Sequence, residues 1–100
     1  MNAIQEIKKT YSLEDFKGIA SHGCQSGMCH EHIYYVDTLK FFEKYENEIV
    51  EYITDQYGTE FLVDLFKDAD ANLGIYKNNV AWCFIEMIAF EETEALLQPA

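Results

Sequence analysis

Apolar residues recur along this chain with the period of helices. Ile4 and Ile7 with Tyr11 predict a short first helix. Ser12-Leu-Glu-Asp15 reads as the start of a second, with a hydroxyl cap and a carboxylate three residues on that reaches back to it. That helix, Leu13 to Ala20, would bury Leu13, Phe16, Ile19 and Ala20. From Asp37 to Tyr57 a stripe of Leu39, Phe42, Ile49 and Ile53 is widened by Tyr45, Val50 and Tyr52, and Gly58 is placed to end it. Glu46 interrupts the stripe, which points to a kink or break near Glu46-Asn47. Phe61, Leu62, Leu65, Phe66 and Ala69 make the next helix, closed by Asn72-Leu-Gly74. The last runs from Lys77 to Leu97, with Val80, Ala81, Phe84, Ile85 and Ile88 inward and a long apolar arc that suits the centre of the packing. Pro99 is the single proline, and β-branched runs are scarce. The expected fold is all-α, one compact domain over residues 1–100 with about five helices.

Charge changes this picture. The 100 residues carry 18 Asp and Glu against 7 basic side chains, a formal net charge of −11. Every basic residue is a lysine: Lys8, Lys9, Lys17, Lys40, Lys44, Lys67 and Lys77. A nucleic-acid binder needs a basic patch and favours arginine for bidentate recognition, so direct nucleic-acid binding is disfavoured. An anionic membrane surface is disfavoured on the same ground. With 49% apolar and 15% aromatic residues, the chain is expected to fold rather than stay disordered. The first residues lack the apolar core of a secretion signal. The longest apolar run, Val80 to Phe90, contains Glu86 and is too short to span a bilayer. Together with an odd cysteine count (Cys24, Cys29 and Cys83), these features give the expectation of a cytoplasmic protein with reduced thiols.

The acids are unevenly distributed. Glu43, Glu51 and Asp55 share one helix face at multiples of four residues, with Glu48 beside them, and Glu60, Asp64 and Asp68 repeat the step in the next helix. Like charges at that spacing cost an isolated helix a few tenths of a kcal/mol each, a loss that interleaved lysines would avoid. One reading is a solvated face that keeps a small protein soluble. The other is a decoy. Residues four apart rise by roughly 6 Å along a helix, giving a regular row of carboxylates that a groove built for phosphates would attract. Tyr34, Tyr35, Tyr45, Tyr52, Tyr57 and Tyr76 would then supply aromatic anchors, and aromatic-rich helices leave a homodimer open.

A second cluster lies in the one glycine-punctuated segment, where His22, Cys24, Cys29, His30 and His32 fall within eleven residues. Thiolate and imidazole are the ligands zinc prefers, and the Cys24–Cys29 spacing is permitted, so a zinc-stabilised regulatory module is the rival reading. Zinc modules usually bring two separated halves, whereas here every ligand lies in one segment. The plain alternative has His22 at a helix end and Cys24 as a small buried residue. A catalytic pairing of His22 with Cys24 lacks the third, orienting group. Cys83, between Trp82 and Phe84, reads as core. Asp68-Ala-Asp70-Ala-Asn72 resembles the start of a calcium loop, but Leu73 and Asn79 stand where glycine and a bidentate glutamate are required.

The order Ile19-Ala-Ser-His-Gly-Cys24, Ser26-Gly27, Ile33-Tyr-Tyr35, Thr38, Phe41-Phe42, Glu48-Ile49 resembles a family of small acidic proteins of bacteriophages and other mobile elements. The resemblance extends from Ile4 to Ile53 and weakens over the last third. It implies a phage-type accessory protein, of the class that includes anti-CRISPR and anti-restriction inhibitors. Such a protein would be no enzyme and would bind a host nucleic-acid-processing complex. Cys29, His30 and His32 depart from the family pattern, which leaves His22, Gly23, Cys24 and Gly27 as a structural loop.

Overall fold

Five helices follow one another in the computed structural model: α1 (Ala3–Thr10), α2 (Leu13–His22), α3 (Thr38–Tyr57), α4 (Thr59–Asp68) and α5 (Leu73–Leu97). The structure describes residues 1–22 and 37–97, and among these there is no strand. The fold class is all-α. The Cα radius of gyration is 13.3 Å, close to the ~13 Å of a compact 100-residue body.

Local chemistry sets most of the boundaries. Asn2 and Gln5 form a reciprocal capping box on α1, with bonds of 2.8 and 2.9 Å. Ser12 and Asp15 do the same for α2, at 3.2 and 3.0 Å, as the sequence predicts. Asp37 caps α3 by accepting the Lys40 N–H at 3.2 Å. Gly58 ends α3 at φ 86°, ψ 164°, a conformation essentially reserved for glycine, and α4 begins at once. The kink in α3 is at Tyr45 (φ −122°, ψ 27°), one residue before the expected position, and the helix continues through it.

The boundary between α4 and α5 differs from expectation. Here α4 closes in a Schellman motif: the Ala71 N–H donates to the Phe66 carbonyl at 3.1 Å and the Asp70 N–H to the Lys67 carbonyl at 3.0 Å. Asp70 takes the left-handed position (φ 54°) that glycine usually fills, and Ala71 follows at φ 58°. Asn72 belongs to the next helix, its side chain accepting the Ile75 N–H at 3.0 Å. Gly74 lies inside the first turn of α5, so it is not the terminator the sequence predicts, and α5 begins four residues before Lys77.

At the centre is α5, packed against all four other helices. From Val80 to Ala89 every residue except Glu86 is buried, Cys83 among them, so this stretch is enclosed on all sides. Phe84, Ile85 and Ile88 meet Ile7, Ile19, Ile49 and Ile53 from the surrounding helices, and all are fully buried. Truncating one such side chain to alanine costs about 2–5 kcal/mol. Three expected core residues are at the surface. Leu13 and Leu39 sit in the first turns of their helices and are each 41% exposed, with Phe41 taking the inward position instead of Leu39. Phe66 lies at the edge of the Leu62, Leu65, Ala69 stripe and rests on Tyr76, ring centroids 5.5 Å apart.

Candidate interaction surface

The seven acids that the sequence singles out separate into two groups. Two are engaged within the fold. Glu48 is half-buried and accepts the Ala3 N–H at 2.9 Å, satisfying an orphan donor at the start of α1 from 45 residues away. Glu43 is 3.5 Å from the Lys77 ammonium. The other five, Glu51, Asp55, Glu60, Asp64 and Asp68, are exposed, and among the described residues no lysine comes within ion-pair distance of them. Three further lysine ammonium groups pair with other acids, Lys8 with Glu92 at 2.8 Å, Lys17 with Glu14 at 3.3 Å and Lys44 with Glu6 at 3.3 Å. The Tyr45 hydroxyl and the Glu6 carboxylate hold Lys44 above the ordinary lysine pKa.

The tyrosines expected as anchors are only partly available. Tyr45 is buried and its hydroxyl donates to Glu6 at 3.2 Å, which removes it from the surface. Tyr52 is half-buried and its hydroxyl donates to Glu91. Burial first, and that carboxylate second, push its pKa well above the ordinary tyrosine value. Tyr57 is 56% exposed, stacked on Phe61 with centroids 4.9 Å apart. Tyr76 lies partly covered between Phe42 and Phe66. Tyr34 and Tyr35 lie outside the described residues.

Two concave features have no counterpart in the sequence reading. A cavity of about 320 Å³ opens between α4 and the first turns of α5, lined by Leu62, Val63, Phe66, Leu73 and Tyr76. Its walls are apolar, and Val63 and Leu73 are 50% and 59% exposed. The sequence shows these residues as apolar but assigns Phe66 to the core and Leu73 to a helix stop, so their joint exposure is hidden until the α4–α5 turn is seen. The other, of about 500 Å³, lies between α1 and the start of α3, where Lys9, Lys40 and Lys44 stand beside Glu6 and Asp37 over Phe41.

The family described as a domain of unknown function, DUF7222, matches residues 1–97. The chain belongs to that family. No curated protein and no solved structure matches it. The match spans all five helices of this DUF7222 domain, so the exposed carboxylates, the apolar groove and the cysteine–histidine segment all fall within it. The family description carries no activity.

Of the candidate zinc ligands, Cys24, Cys29, His30 and His32 lie outside the described residues, and His22 is the last residue of α2. Among the described residues, no three His, Cys, Asp or Glu side chains are grouped so as to hold a metal ion. Residues 68–72 of the DUF7222 domain form the Schellman turn and the Asn72 cap, which accounts for their composition. No described helix is long and apolar enough to cross a membrane.

Proposed function

We propose that this DUF7222 protein is a non-enzymatic interaction protein that docks its acidic α3–α4 surface on the basic, nucleic-acid-binding surface of another protein and keeps nucleic acid off it. The observation that carries this reading is the distribution of charge. Among the described residues Glu51, Asp55, Glu60, Asp64 and Asp68 stand exposed without lysine partners, while Lys8, Lys17 and Lys44 pair with Glu92, Glu14 and Glu6. An unneutralised row of carboxylates attracts a phosphate-binding groove and speeds encounter with it. In the form implied by the resemblance to phage proteins, the partner is a nucleic-acid-processing defence complex in a bacterial cytoplasm, and the role is counter-defence.

The test is affinity capture from bacterial lysate at about 0.1 M salt, with elution at about 0.5 M salt or by added duplex DNA. The expected catch is nucleic-acid-binding proteins released by both. A variant carrying Glu51→Lys, Asp55→Lys and Asp64→Lys should keep its helical circular dichroism and lose the catch. Retention through high salt, or capture that survives the reversals, overturns the proposal.

A further inference from the structure

Helix α4 presents two unlike sides. At about 100° per residue, Leu62, Val63 and Phe66 share one stripe, and Asp64 and Asp68 point to the opposite side. The apolar stripe, with Leu73 and Tyr76 of α5, lines the groove of about 320 Å³. Val63, Phe66 and Leu73 are exposed there. Beside Val63 the outer edge of α4 carries two charges of opposite sign. Glu60 lies one turn before Val63 and Lys67 one turn after it, so the pair stands on one line, two turns apart. Both are exposed, and among the described residues neither has an ion-pair partner.

We infer that this groove is where a second copy of the chain packs, α4 against α4 in antiparallel order about a two-fold axis. The choice of occupant follows from charge complementarity. A two-fold contact uses the same patch on both copies, so the patch must be complementary to itself. When two α4 helices run antiparallel about an axis at the height of Val63 and Asp64, their ends exchange and the same flank of each comes together. Lys67 of each copy then stands opposite Glu60 of the other, making two equivalent rim pairs, while Val63 and Phe66 enter the facing groove. A parallel arrangement brings opposite flanks together and leaves all four charges unpaired. A foreign helix of one charge sign would satisfy either Glu60 or Lys67 and oppose the other. Asp64 and Asp68 face away from the seam and stay in water, so the inference stands independently of the acidic-surface reading. Each copy carries a net charge of −11, and that spread repulsion is screened beyond about 8 Å at physiological salt, whereas apolar burial is not. Dimerisation therefore strengthens with salt, the reverse of the sign expected for a basic partner on the acidic face.

The test is sedimentation equilibrium of the full-length chain at about 0.15 M and about 0.5 M salt. A reversible dimer, tighter at the higher salt, is the expected result. Val63→Ser with Leu73→Ser keeps the charge and should weaken the dimer about tenfold or more. Glu60→Lys alone and Lys67→Glu alone each set like charges across the rim. An equimolar mixture of those two variants should therefore form the mixed dimer in excess over both parent dimers, read by native mass spectrometry with one variant isotope-labelled. In the unmutated protein, mixed from labelled and unlabelled chains, isotope-filtered contacts should link the Val63 methyls of one copy to the Phe66 or Tyr76 ring of the other, which needs no variant to fold. A monomer at every concentration up to about 1 mM overturns the inference. So does an undiminished dimer in the serine variant, or a statistical mixture of the two charge variants. A dimer that loosens as salt rises is held by charge rather than by the groove and overturns it as well.

Discussion

At the scale of single residues, Glu48 shows how an exposed-looking acid can be structural. Its carboxylate accepts the Ala3 N–H at the positive end of α1. Glu48→Ala should destabilise the fold by about 1–2 kcal/mol in urea unfolding, because it leaves a partly buried donor unmet. Glu51→Ala, one turn away and exposed, should change stability by no more than about 0.5 kcal/mol. The sequence could not separate the two. Both are glutamates on a helix, and the bond that distinguishes Glu48 spans 45 residues. The Ser12–Asp15 box, by contrast, was legible because its partners lie three residues apart. Tyr52 makes a pH-dependent contribution. Its folded pKa lies above its unfolded value, so its contribution is fully present below about pH 10 and declines as the pH rises through the folded value. In that interval the unfolded chain has lost a proton that the folded chain keeps, and unfolding gains. Urea midpoints should therefore fall on the alkaline side, and less steeply in Tyr52→Phe, with Tyr76, raised by burial, accounting for part of the remainder.

At the scale of elements, two turns make predictions of opposite sign. Gly58 joins α3 to α4 at φ 86°, ψ 164°, so Gly58→Ala should cost about 1–3 kcal/mol. Asp70 occupies a left-handed C-terminal position where glycine is the better residue, so Asp70→Gly should stabilise by about 0.5–1 kcal/mol. Both are read from denaturant midpoints at constant slope. These turns also explain what the sequence revealed. Gly58 was visible because a glycine follows directly on a periodic stripe. The end of α4 is hidden in the sequence because the chain offers Gly74 as a terminator while using Asp70, and that exchange conceals both the length of α5 and the groove beside its first turns. The interior of α5 was the most legible element, since a nearly uninterrupted apolar run of this length has few other solutions. The cysteine–histidine segment was legible only as composition.

At the scale of the whole molecule, the acidity acts on itself. A net charge of −11 destabilises the compact state by self-repulsion, whereas exposed ion pairs contribute little. Raising salt from about 0.05 M to about 0.5 M should therefore raise the melting temperature by a few degrees, through screening. Asp55→Asn with Asp64→Asn should raise the low-salt melting temperature and flatten that dependence in calorimetry. A melting temperature that falls with salt would mean that the Lys8–Glu92 and Lys44–Glu6 pairs outweigh the repulsion. Charge segregation gives the molecule two unlike regions: lysines gather around the start of α3, and unpaired carboxylates around its end and along α4.

The position of α5 in chain order has a consequence for biosynthesis. It is the element against which α1, α2, α3 and α4 all pack, and it is the last of the five to be made. While the ribosome is still translating it, the earlier helices lack the surface that would hold them together, and at about 5–20 residues per second that interval lasts on the order of seconds. The core that α5 completes therefore closes only after α5 is made. The sole tryptophan, Trp82, lies in that helix and is buried only once the core has closed. Its fluorescence marks the moment at which the nascent chain becomes a protein.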